Sequence, residues 1–138
     1  MREALCASAP EAKAARPFEI IGVPFINSAD WGDAPNALNL PGVRLRPCYF
    51  APTFSKSKEQ FCGGVQLRVL DQEAFDPIRT GLFMVKAVYA KYPDQVKINN
   101  YANLLVGVPN LNERIKTESV DSIIAGWQEN LKAFKTMR

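Results

Sequence analysis

The chain has 138 residues, 47% of them hydrophobic and 22% charged, a balance that suits a folded domain rather than a disordered segment. Its formal charge of +3 and scattered Lys and Arg leave no footprint for a nucleic acid, and no stretch approaches the ~18 apolar residues of a membrane-spanning helix. With no histidine and no C-x-x-C pair, zinc is not expected, the histidine-based nucleophilic routes are absent, and no cofactor or metal is implied. The three cysteines, Cys6, Cys48 and Cys62, read as buried or idle thiols, with a Cys48–Cys62 bridge as the alternative.

Residues 1–15 are Ala-rich but broken by Glu3, Glu11 and Lys13. They lack the apolar core of a signal peptide and read as an irregular remnant ahead of a domain over 16–138. A strand is predicted near 17–23, with Pro17 at the first position, where a missing N–H harms no ladder. Pro24 and the cluster Asn27-Ser28-Ala29-Asp30 end it. Asp33 is expected to cap a short helix through Leu38, closed by Leu40-Pro41-Gly42. Residues 43–50 alternate with period two, placing Val43, Leu45 and Tyr49 on one face and Arg44, Arg46 and Cys48 on the other. A third strand near 65–70 repeats the pattern with Gln66 and Arg68 opposite its apolar face. If these two strands pair, Arg44, Arg46 and Arg68 share one surface. That surface is either an ordinary solvated sheet face or a cationic platform for a carboxylate, which the planar guanidinium fork suits.

Asp76-Pro77 predicts a helix start, and Ile78, Leu82, Val85, Tyr89 and Tyr92 form a stripe over a helix near 77–92. A short strand near 96–98 and helices near 100–106 and 109–115 follow. Ser119 is expected to cap a closing helix near 119–137, whose stripe runs through Val120, Ile123, Ile124, Trp127, Leu131 and Phe134. Strands first and helices later make an α+β fold: a small mixed or antiparallel sheet packed by helices. The predicted working surface is the loop Pro52-Thr53-Phe54-Ser55-Lys56 together with Cys62-Gly63-Gly64-Val65-Gln66, a lysine, hydroxyls, an aromatic and a glycine pair held at the mouth of a strand.

Several of these runs occur in order and at fitting distances: Arg16-Pro17-Phe18-Glu19, Leu38-Asn39-Leu40-Pro41-Gly42-Val43, Pro52 to Lys56, Cys62 to Gln66, Pro77 to Leu82, and the Ile123–Phe134 helix with Trp127. Together they resemble the C-terminal part of the NamZ-type exo-β-N-acetylmuramidases, a bacterial family long catalogued as a domain of unknown function. The resemblance covers about residues 16–138. It implies a two-domain glycosidase that removes terminal N-acetylmuramic acid from peptidoglycan fragments, with a Rossmann-like N-terminal domain supplying the catalytic carboxylate. It also implies action outside the cytoplasm or in recycling of cell-wall fragments. Family members carry Ser-Glu-Gly-Arg-Gly-Thr where this chain has Glu11 to Arg16, and they continue into a Tyr-Leu-Leu-Tyr tail beyond Arg138. A domain shortened at both ends is therefore expected, lacking its N-terminal partner domain or forming a homo-oligomer.

Glycoside hydrolysis needs two carboxyl groups about 5–9.5 Å apart. Glu19, in a matched run, is the single catalytic candidate, and no partner acid presents itself in the sequence. Residue chemistry nominates Arg16, Glu19, Thr53, Phe54, Ser55, Lys56, Gly63, Gly64, Arg44, Arg46 and Arg68 for the saccharide, with Lys56 and the arginines gripping a lactyl carboxylate and Phe54 stacking on a sugar face. The competing readings are a stand-alone module that binds carbohydrate or peptidoglycan fragments, and a purely structural fragment.

Overall fold

The computed structural model describes residues 19–52, 60–98 and 100–137. Among them the fold is α+β, with five helices and one three-stranded antiparallel sheet. The chain divides at Asp76–Pro77 into two compact units.

In the first unit, strands β1 (Ile20–Val23), β2 (Val43–Phe50) and β3 (Cys62–Val69) lie in the order β1-β3-β2. Helix α1 (Ser28–Ala37) packs on β2 and β3. The helix starts five residues earlier than Asp33. The Asn27 cluster, read above as a strand terminator, is instead its N-cap, with the Ala29 amide donating to Asn27 Oδ1 at 3.1 Å. Its buried residues, Ser28, Trp31, Gly32 and Pro35, recur at i, i+3, i+4 and i+7, a helical face that small and cyclic side chains disguise. Asn39, at φ 47°, ends the helix in the left-handed conformation asparagine tolerates.

Because β2 is an edge strand, the outward N–H and C=O of Leu45 have no ladder partner. Asn36 supplies both. Its Nδ2 donates to the Leu45 carbonyl at 2.6 Å, and the Leu45 amide donates to its Oδ1 at 3.0 Å. One side-chain amide thereby continues the sheet and fastens α1 to it. Gly32 permits the same approach, since a Cβ there would lie 2.8 Å from Pro47 Cγ.

β3 begins at Cys62, so the glycine pair expected in the loop lies inside the strand. Gly63 faces Val23, and Gly64 faces Gly22. A Cβ on Gly63 would strike the Ile26 carbonyl oxygen, and one on Gly64 would strike that of Ile21. Both glycines are buried and are required by close backbone approach.

The second unit is helical: α2 (Pro77–Lys91), α3 (Asn100–Val106), α4 (Leu111–Thr117) and α5 (Val120–Met137). The strand expected over 96–98 is a single bridged residue, Lys97, because the few residues between Pro93 and α3 cannot build a ladder. The core gathers Leu82, Val108, Leu111, Ile115, Val120 and Ile123, with Ile124 and Trp127 half-buried against it. On α2 the stripe is displaced from its expected face: Thr80, Leu82, Met84 and Val88 are buried, and Ile78 is exposed. Ser119 caps α5 as predicted, accepting from the Ser122 amide at 3.1 Å. Asp121 in its first turn pairs with Arg79 of α2 at 2.6 Å. Asn103 of α3 accepts from the Leu111 amide at 2.9 Å, satisfying a first-turn donor of α4.

Arg114 grips Glu118 through two hydrogen bonds, Nε to Oε1 at 2.9 Å and Nη2 to Oε2 at 2.8 Å. These bonds hold the Glu118 carboxyl below its ordinary value, against partial desolvation, which raises it.

Two outcomes are expected. Asn36→Ala strips the Leu45 edge of both hydrogen bonds and should cost about 1–3 kcal/mol in urea unfolding. A lowered folded-state pKa at Glu118 stabilises the fold above the ordinary carboxylate value (about 4.3), and that contribution is lost as pH falls through the depressed value. Melting temperature should therefore fall less steeply on acidification in Glu118→Gln than in the wild type.

Candidate functional site

Antiparallel register decides which of the nominated residues meet. Arg44 stands directly opposite Arg68, and Arg46 is opposite Gln66 on the next rung of the same face. Ile20 of β1 completes the Gln66 rung. All three arginines are exposed. Among the described residues, none of the three guanidinium groups has a carboxylate or carbonyl acceptor. Like charges directly opposite across strands are unfavourable, so positive charge is concentrated at this end of the hairpin. Arg44 also lines a hollow of about 270 Å³, together with Asn36, Asn39, Gly42 and Asp71. That volume lies just below the usual range for ligand pockets and suits one small group rather than a disaccharide. The Asp71 carboxylate on its rim is engaged, accepting from the amides of Glu73 at 3.0 Å and Ala74 at 3.3 Å.

Glu19, exposed at the start of β1, accepts from Gln66 Nε2 at 3.3 Å, and its carbonyl accepts from the Leu67 amide at 2.7 Å. The structure thus joins the candidate acid to the arginine face through Gln66. No cluster of three or more His, Cys, Asp or Glu side chains that could hold a metal is present among the described residues. Chemically, the arrangement is suited to gripping an anion.

Arg16, Thr53, Phe54, Ser55 and Lys56 lie outside the described residues. At about 3.3 Å per residue, the Arg44–Arg68 rung is roughly 20 Å of strand from the Phe50–Cys62 rung where the loop departs. Gly63 and Gly64 occupy that loop end, in the structural role given above, and are not joined to the arginine rung.

Two residues at the loop end escaped the sequence reading. Tyr49 was placed on the packed face with Val43 and Leu45, but it is 53% exposed because α1 begins only at Ser28 and covers the other half of β2. Its ring stacks on that of Phe61, with centroids 5.4 Å apart and planes 7° from parallel. The available signal was a pair of aromatics flanking the hairpin connection with a glycine across the strand.

No disulfide joins Cys48 and Cys62. The register pairs Cys48 with Gly64 and Cys62 with Phe50, so the two thiols are offset along the hairpin rather than opposed. Burial pushes the Cys48 thiol up, with Arg46 pulling the other way. In a Cys6→Ser background, alkylation of Cys48 at neutral pH should be slower than in the unfolded chain and slower still in Arg46→Gln. Cys62, fully buried, should stay unmodified until the protein unfolds.

Comparison with known proteins bears on this arrangement. The profile of the family described as exo-β-N-acetylmuramidase NamZ, C-terminal, matches residues 14–138. A relative from Bacillus subtilis (strain 168), named peptidoglycan β-N-acetylmuramidase NamZ, is 36% identical over 126 residues, covering 89% of this chain and 30% of that protein. The crystal structure of a DUF1343 family protein from Bacteroides fragilis has the same fold, with a TM-score of 0.73 at 23% identity, covering 87% of this chain and 33% of that one. The chain therefore spans about a third of the length of these relatives.

Proposed function

As the chain belongs to the family of NamZ C-terminal domains, we propose that it is the C-terminal portion of a peptidoglycan exo-β-N-acetylmuramidase, forming one wall of the saccharide cleft and requiring the remainder of such an enzyme for hydrolysis. The observation that carries the reading is the rung where Arg44 opposes Arg68, with Arg46 beside it and no protein acceptor among the described residues. N-acetylmuramic acid differs from N-acetylglucosamine by a lactyl ether bearing a carboxylate. A charge-assisted fork of guanidinium N–H groups recognises that carboxylate and relieves the repulsion between the arginines at once. The hollow beside Arg44 has room for such a substituent.

Bond cleavage through an oxocarbenium-like transition state calls for a general acid and a second carboxylate on opposite sides of the glycosidic bond. In this chain Glu19 is the candidate for one wall of that arrangement, oriented by Gln66. The other carboxyl, and in this reading the nucleophile or base, comes from the remaining part of the enzyme. Lys56, Thr53, Ser55, Phe54 and Arg16 are assigned to the saccharide on residue chemistry alone.

The test is a chromogenic N-acetylmuramide offered to the isolated 138-residue chain and to the same chain fused to the N-terminal portion of the Bacillus relative. The isolated chain should give no turnover and the fusion should cleave. Replacing Arg44 and Arg68 together by Gln in the fusion should raise KM roughly tenfold or more, the loss expected of a charged hydrogen bond. Turnover by the isolated chain, or an unchanged KM in the double variant, would defeat the proposal.

A further inference from the structure

The stacked pair Tyr49–Phe61 belongs to the other side of the sheet from the arginines. In β2 the side chains of Arg44 and Arg46 alternate with that of Tyr49, and the ladder from Val43 to Phe50 is continuous, with no bulge to change the parity. Tyr49 faces Gly63, whose position admits no side chain because the Ile26 carbonyl occupies that space. Phe61, diagonal to Tyr49 across the ladder, stacks on its ring instead, and the two rings lie nearly parallel, 53% and 70% exposed. The Tyr49 hydroxyl reaches Asn27 Oδ1 at 3.5 Å, and Asn27 is itself held as the cap of α1. The platform is thereby anchored to a helix end and a strand, with polar Asn27 and Gln60 beside it, both exposed.

We propose that these rings form a second saccharide-binding surface, which stacks a neutral pyranose of a β-linked glycan and lies apart from the arginine rung. The inference rests on the saccharide reading of the chain given above. Aromatic rings present a negative face, and the flat side of an all-equatorial pyranose presents a patch of slightly positive C–H groups. Such contacts need no charge and no deep pocket. A protein occupant fits less well. Two aromatic side chains bury at most about 150–250 Å² each, far below the roughly 800 Å² per side of a stable interface, and among the described residues the exposed polar Asn27 and Gln60 stand beside them. Placed at the loop end, roughly 20 Å of strand from the Arg44–Arg68 rung, the surface would hold a glycan at a site separate from the one that reads its terminal acid.

The probe is tetra-N-acetylchitotetraose, which carries the sugar rings and acetamides of the glycan but no carboxylate. Titrated into the isolated chain and followed by calorimetry, it should bind with an affinity insensitive to salt. Phe61→Ala and Tyr49→Ala should each weaken binding roughly tenfold, while Phe134→Ala, an exposed aromatic on α5, should leave it unchanged. Phe61 is mostly exposed, so its variant should keep the wild-type circular dichroism. Absence of binding by the wild type, equal binding by the Phe61 and Tyr49 variants, or a dimer that Phe61→Ala dissolves would each overturn the proposal. The titration reads no turnover and the muramide assay reads no neutral oligosaccharide, so either reading can fail while the other stands.

Discussion

Close backbone contact at Gly63 and Gly64 is the constraint on which the first unit depends. The central strand β3 has the Ile21 carbonyl pressed against one glycine and the Ile26 carbonyl against the next. Neither contact would survive a methyl group. Through them β1 and the entry into α1 settle on the strand, Trp31 and Ser28 become buried, and α1 reaches β2 closely enough for Asn36 to complete the Leu45 edge. Residues that look from their chemistry like a ligand-cradling loop are therefore spent on packing. The exposed chemistry is displaced to either end of the β2–β3 hairpin.

That displacement gives the surface its organisation. Period-two alternation along an unbroken ladder sends Arg44, Arg46, Gln66 and Arg68 to one face and Tyr49 and Phe61 to the other. In the proposed reading the charged group is directional, takes a carboxylate and weakens with salt. The aromatic group, as proposed, takes the flat face of a sugar ring by contacts that salt does not screen. A glycan of cell-wall type carries both features, an acid on some sugars and flat C–H faces on all of them. The register keeps the two groups apart on one hairpin.

The helical unit contributes in a different way. Its core closes around Ile115, Val120 and Ile123, and interhelical polar contacts such as Asn103 to the Leu111 amide and Arg79 to Asp121 fix the helix ends. The apolar stripe of α5 outlasts that core. Ile123 is fully buried and Trp127 half-buried, whereas Leu131 and Phe134 are 38% and 56% exposed. The periodicity of the helix alone could not show where its covering ends, because the stripe is as regular in the exposed turns as in the buried ones.

Taken alone, the sequence determined the α+β class, the presence of five helices though not the start of the first, the alternation that sets Arg44 with Arg46 and Gln66 with Arg68 on one face of their own strands and, through its linked runs, the family. These are properties of local spacing, propensity and motif order, which need no knowledge of what lies across the fold. Only the tertiary structure decided that Asn27 begins a helix, that the glycine pair lies within a strand, and that Tyr49 is uncovered and stacked on Phe61. Each of those depends on which backbone approaches which, and on where a covering helix stops. Such facts arise between segments distant in the chain, and no single segment carries them.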